Sequence, residues 1–186
     1  MLTVQKDVIA DLRKAVEEKK IMFPDDPCSN QRIYHFRSTL VAKGDLEWPV
    51  KFEYGLSSRL FLNGISVPEP CGIISPVELW GKQESRNKPF WYFLMRYIDG
   101  VPPDGKCLSY PELEIAVRCY REEAEKVLAL GIIPEDSIYN PCNVLFDRAE
   151  QRIYLIDFES WVVDAPPERI TYFRQELRKL TLEDWL

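Results

Sequence analysis

Asn143 and Asp157 are the residues whose types and spacing best suit chemistry. Between them lie two short apolar runs, Val144-Leu145-Phe146 and Ile153-Tyr154-Leu155-Ile156, separated by a polar turn. Two such runs joined by a tight turn read as a β-hairpin. A hairpin brings its two ends together, so the Asn143 amide and the Asp157 carboxylate become neighbours. Both offer hard oxygen donors, the kind that a divalent cation prefers. Phe158 and Glu159 follow directly, so the second run ends in an acid, an apolar residue and another acid. Each residue also has a plainer reading. Asp157 can serve as a turn or capping acid, and Asn143 as a loop residue that satisfies backbone groups.

Other chemistries find less support. Five cysteines (Cys28, Cys71, Cys107, Cys119, Cys142) are scattered without a C-x-x-C pair, and His35 is the single histidine. That pattern argues against a zinc site and fits free thiols in a reducing compartment. Cys142 sits beside Asn143 but has no activating base in view, so it reads as inert. His35 reads as a strand residue with a structural partner. The net charge of −6, with both signs interspersed, disfavours nonspecific nucleic-acid binding. The opening MLTVQKDVIADLRKAVEEKK is too charged for a signal peptide. No apolar run is long enough to span a bilayer. The expectation is a cytoplasmic or nuclear protein with neither nucleic acid nor membrane as a partner.

The elements that must position these residues follow from periodicity. Residues 4–20 place Val8, Leu12 and Ala15/Val16 on one face, which predicts an amphipathic helix, either a lid or a docking helix. A turn-rich stretch, 21–31, leads to a strand over 33–42. Lys43-Gly44-Asp45 reads as a hairpin turn, and Trp48–Tyr54 as its partner strand with Lys51 near the middle. Residues 56–64 allow at most two helical turns, and 90–97 form the strongest strand. A Pro- and Gly-rich linker, 98–105, precedes the best helix, 109–130, which opens with the capping box Ser109/Glu112 and stops at Gly131. A last helix begins near 164–168. With 186 residues, the chain is one α+β domain made of small lobes. The boundaries expected are 1–32 for an N-terminal helix and linker, 33–98 for an N-terminal lobe and 99–186 for a C-terminal lobe.

This order resembles the protein kinase and aminoglycoside phosphotransferase superfamily, over about residues 33–160. Lys51 in Pro49-Val50-Lys51-Phe52 resembles the strand lysine that holds nucleotide phosphates. Gly64-Ile65-Ser66-Val67-Pro68-Glu69-Pro70 resembles the segment before the next strand. Phe93-Leu94-Met95-Arg96-Tyr97-Ile98-Asp99-Gly100 resembles the hinge that meets adenine, which implies nucleotide contacts from Arg96, Tyr97 and Ile98. Asn140-Pro141-Cys142-Asn143-Val144-Leu145 resembles the end of the catalytic loop, and Ile156-Asp157-Phe158-Glu159 the metal-binding segment. The resemblance implies a bilobal kinase-like fold with a small sheet-rich N-lobe and a truncated helical C-lobe. It also implies ATP and Mg2+ as cofactors, with Asn143 and Asp157 holding the metal.

The departures bear on activity. The family's loop reads H-x-D-x-x-x-x-N, and Ile138 stands where that Asp belongs, five before Asn143. Asp136, seven before Asn143, takes the place of the His and is the candidate catalytic acid–base. Residues 21–43 contain no glycine for a phosphate loop, and 56–64 contain no acid to pair with the lysine. Only 27 residues follow Glu159, so a large macromolecular substrate platform is not expected. Two functions stay open. One is a degenerate kinase-fold protein, a pseudokinase that binds Mg-ATP with weak or no transfer and acts through a protein partner. The other is an active phosphotransferase on a small-molecule or protein hydroxyl. A plain α+β interaction module is the third alternative.

Overall fold

Residues 32–45 fold back on themselves at Ser38 and Thr39, one turn earlier than the Lys43-Gly44-Asp45 signal predicts. The computed structural model describes residues 4–19, 32–135 and 141–186. Strand β1 (Arg32–Arg37) pairs antiparallel with β2 (Leu40–Asp45), which continues through the glycine where a turn was expected. Helix α2 (Glu47–Leu62) follows at once. Then come β3 (Pro70–Ile74), α3 (Pro76–Glu84) and β4 (Trp91–Arg96). The sheet order is β1-β2-β4-β3, antiparallel throughout.

Successive side chains of a strand face opposite sides, and both faces of this sheet are covered. On one face Ile73 and Phe93 pack with Val50 of α2, flanked by Tyr54, Trp91 and Met95. On the other, Tyr34, Ala42, Ile74, Tyr92 and Leu94 meet α3 and the N-terminal helix α1 (Lys6–Glu17). Leu12 of α1 is wholly buried. Arg37 joins the same helix through Asp7 and Asp11, at 2.8 and 2.7 Å. The expectation of a lid or docking helix is therefore corrected, because α1 is part of this core.

The expected strand over 48–54 is instead the first half of α2. Pro49 lies in the first helical turn, where its missing N–H breaks no helix bond. Val50, Glu53, Leu56/Ser57 and Leu60 recur at helical spacing and are buried. Gly64, at φ 73°, closes the helix in a left-handed turn. Helix α3 was not expected, although Ser75-Pro76-Val77-Glu78 carries a capping box and a proline at the first position.

The chain forms two compact units, Met1–Ser58 with Glu69–Tyr97, and Arg59–Pro68 with Ile98–Leu186. The second centres on α4 (Tyr110–Ala129), capped by Ser109 and Glu112 as expected. Its buried stripe includes Leu113, Val117, Tyr120, Ala124, Val127 and Leu128. The hairpin β5 (Val144–Asp147) and β6 (Arg152–Leu155) packs on it, as does α5 (Pro167–Lys179). Val101 bonds Phe146 in both directions and so widens the hairpin on the β5 side. Gly100 permits this approach, since a Cβ there would lie 3.0 Å from the Leu145 Cβ. Among the described residues no helix is long and apolar enough to cross a membrane.

Candidate functional site

Within the second unit, β5 and β6 do what their sequence requires. Val144 pairs with Leu155, and the Ile156 N–H donates to the Asn143 carbonyl at 3.0 Å. Asn143 thus enters the hairpin at one strand while Asp157 leaves it at the other. Leu155 and Phe158 are buried on either side of Asp157, and Phe158 stacks edge-on against Trp161 with centroids 4.8 Å apart. These anchors hold Asp157 at φ 60°, a left-handed conformation that is uncommon for a residue other than glycine. Such a conformation is unfavourable by about 1–2 kcal/mol, and Asp tolerates it better than most residues. Asn143, Asp157, Glu159 and Ser160 line a pocket of about 290 Å3. The donors it collects are an amide oxygen, two carboxylates and a hydroxyl. That set matches a hard cation that keeps several waters and takes one or two protein oxygens.

Within the first unit, two lysines stand in different surroundings. Lys51 does not sit on a strand. It lies on the outer side of α2, half exposed, paired with Glu47 one turn back and resting 4.6 Å from the Trp91 ring. Lys43 is the lysine inside the sheet. It stands opposite Phe93 in the β2–β4 register and so shares the face that α2 covers. Its Nζ donates to Glu53 Oε1 on α2 at 2.7 Å, with side chains only 5% and 2% exposed. The helix was expected over 56–64, which holds no acid; α2 instead begins at Glu47 and so includes Glu53, which pairs with Lys43.

The remaining site candidates are placed as follows. Arg96 ends β4, its N–H donates to the Glu69 carbonyl at 2.9 Å, and its guanidinium lies 3.7 Å from the Glu69 carboxylate. The Tyr97 N–H donates to the Thr39 carbonyl at 2.9 Å, and its ring stacks on His35 at 4.3 Å. These two backbone donors are already engaged inside the first unit. Ile98 opens the second segment of the other unit. Asp136 lies outside the described residues, as does Ile138. The burial and pairing of Lys43 were not expected from the sequence. The signal was available in Val41-Ala42-Lys43, two buried apolar residues before a lysine on a strand that need not turn at Gly44.

The architecture has a solved counterpart. The kinase PK-1 of Cydia pomonella granulovirus superposes with a TM-score of 0.51 at 13% identity, over 86% of this chain and 58% of that one. This chain has a protein kinase-like fold. At that identity the likeness speaks of fold alone, and the chain spans little more than half the length of that kinase. No protein-family model matches the chain, and no curated protein does.

Proposed function

We propose that this chain is a kinase-fold nucleotide-binding protein with slow or absent phosphoryl transfer, which acts through a protein partner. In this reading Asn143 and Asp157 of the second unit hold the Mg2+ of bound ATP, and the first unit supplies in Lys43 and Glu53 a lysine–acid pair of the kind that serves phosphate binding. The metal, when bound, neutralises phosphate charge. The observation that carries the reading is the pocket in which Asn143, Asp157 and Glu159 converge, with Asp157 held in a left-handed backbone. Local strain of this kind clusters at functional sites. Weak transfer follows from Ile138 at the position of the general base, because losing such a base slows reactions by about 10²–10⁴-fold. The exposed indole of Trp48, stacked on Phe52 beside exposed Leu46, supports the partner arm. The Ile156-Asp157-Phe158-Glu159 wording favours the small-molecule phosphotransferase branch of the fold.

An active phosphotransferase is the second reading, and Lys43–Glu53 favours it. A buried ion pair is poor value for stability alone, since well-packed apolar residues often do as well. Its presence in this layer points to a use for the lysine. Asp136 would then serve as the base, on a small-molecule or protein hydroxyl.

Thermal stability with and without ATP, each with and without Mg2+, tests the first reading on wild type and Asp157→Ala. ATP at about 100 times its dissociation constant adds roughly 2.7 kcal/mol to the folded state. The shift should need Mg2+ and vanish in Asp157→Ala. No shift at millimolar ATP would sink nucleotide binding. Turnover that is lost in Asp136→Ala would establish the second reading.

A further inference from the structure

Glu123 is an acid in the middle of α4 that has no part in the reading above, and it is buried at 8% exposure. A carboxylate withdrawn from water is unfavourable unless hydrogen bonds replace its hydration. Both of its oxygens are engaged. Oε1 accepts from the Lys126 ammonium at 2.7 Å. Oε2 accepts from the backbone N–H of Ser66, 57 residues away in sequence, at 2.9 Å.

Ser66 then faces β6. Its carbonyl accepts from the Leu155 N–H at 2.8 Å, on the edge of the hairpin away from Val101. Leu155 is the last residue of β6, opposite Val144, and stands two positions before Asp157. Hydrogen bonds therefore run from Glu123 to Ser66, from Ser66 to Leu155, and from Ile156 to Asn143, all within one compact unit. The second holds the strand that leads to Asp157, and the third ties the residue after that strand to Asn143.

We propose that Glu123 is a positioning residue for the metal pair. By holding Ser66 it fixes the outer edge of β6, and through that edge the direction of Asp157. The left-handed backbone of Asp157 is unfavourable by itself and so depends on the segments that hold it. The inference rests on the metal reading of Asn143 and Asp157, but not on ATP.

The test uses Mn2+ alone as the probe, with binding followed by electron paramagnetic resonance on the full chain. Wild type should bind and Asp157→Ala should not. Glu123→Leu should weaken Mn2+ binding by about tenfold, the usual effect of losing a group that orients a metal ligand. Its Leu155 amide should also exchange faster with solvent. Glu123→Gln keeps an oxygen for Ser66 and should bind nearly as wild type. If Glu123→Leu fails to fold, Glu123→Asp takes its place, since one methylene less withdraws the carboxylate from Ser66. Wild-type affinity in Glu123→Leu, or equal losses in Leu and Gln variants, overturns the proposal. Mn2+ binding without ATP binding would sink the nucleotide reading and leave this one standing. No Mn2+ binding by wild type, or binding undiminished in Asp157→Ala, overturns both.

Discussion

Replacing Glu53 by Leu should destabilise this protein more than most single substitutions, and replacing Lys43 as well should restore most of the loss. The two side chains are 5% and 2% exposed and meet at 2.7 Å. With Glu53 gone, the Lys43 ammonium in the sheet–helix layer beside Phe93 loses the carboxylate that it meets at 2.7 Å. Breaking one side of a buried pair in this way costs about 3–5 kcal/mol. For a chain of this size each kcal/mol moves the melting temperature by about 2–4 °C. Glu53→Leu should therefore melt about 6–20 °C below wild type. Lys43→Met with Glu53→Leu removes both charges and keeps apolar volume, a change that is often neutral or stabilising. The assay is urea and thermal unfolding of wild type, both single variants and the double variant, read as a double-mutant cycle. A Glu53→Leu loss below about 1 kcal/mol would refute the buried pair. So would a double variant whose loss equals the sum of the two singles.

Three further outcomes are expected. Leu12→Ala should cost about 2–5 kcal/mol in urea unfolding, because Leu12 is fully buried between α1 and the sheet. A loss near zero would make α1 a detachable helix. Lys51→Met should change stability by less than about 0.5 kcal/mol, since its pair with Glu47 is exposed, and should leave Mg-ATP affinity unchanged. Weaker ATP binding in that variant would return the phosphate role to Lys51. The Ser109 hydroxyl and N–H bond Glu112, and with the nearby Arg148 guanidinium they hold its carboxyl below the ordinary value of 4.5. A depressed carboxyl stabilises the fold above its unfolded pKa and loses that contribution as pH falls through its folded pKa. The stability gap between wild type and Ser109→Ala should therefore narrow from pH 7 towards pH 3, and a constant gap would refute the linkage.

The sequence by itself determined the parts whose causes are local. The α4 capping box, its apolar stripe and the β5–β6 hairpin all depend on residues within a turn or a hairpin of one another. Asn143 and Asp157 were legible as neighbours for the same reason: they stand only fourteen positions apart, at the two ends of a pair of apolar runs joined by a polar turn. The kinase-like fold class was legible from the order of these pieces. Tertiary packing decided the rest. Trp48–Tyr54 alternates like a strand, yet Val50 and Glu53 are drawn onto one helical face because a sheet surface is there to cover them. No local rule marks Glu53 as buried, since a lone Glu reads as a solvated residue until Lys43 is brought opposite from another element. The same holds for Glu123, whose partner Ser66 lies 57 residues away. A charge can be buried only where a distant chain segment supplies its counter-charge or donor. Such partners are fixed by the three-dimensional fold and leave no periodicity in the sequence.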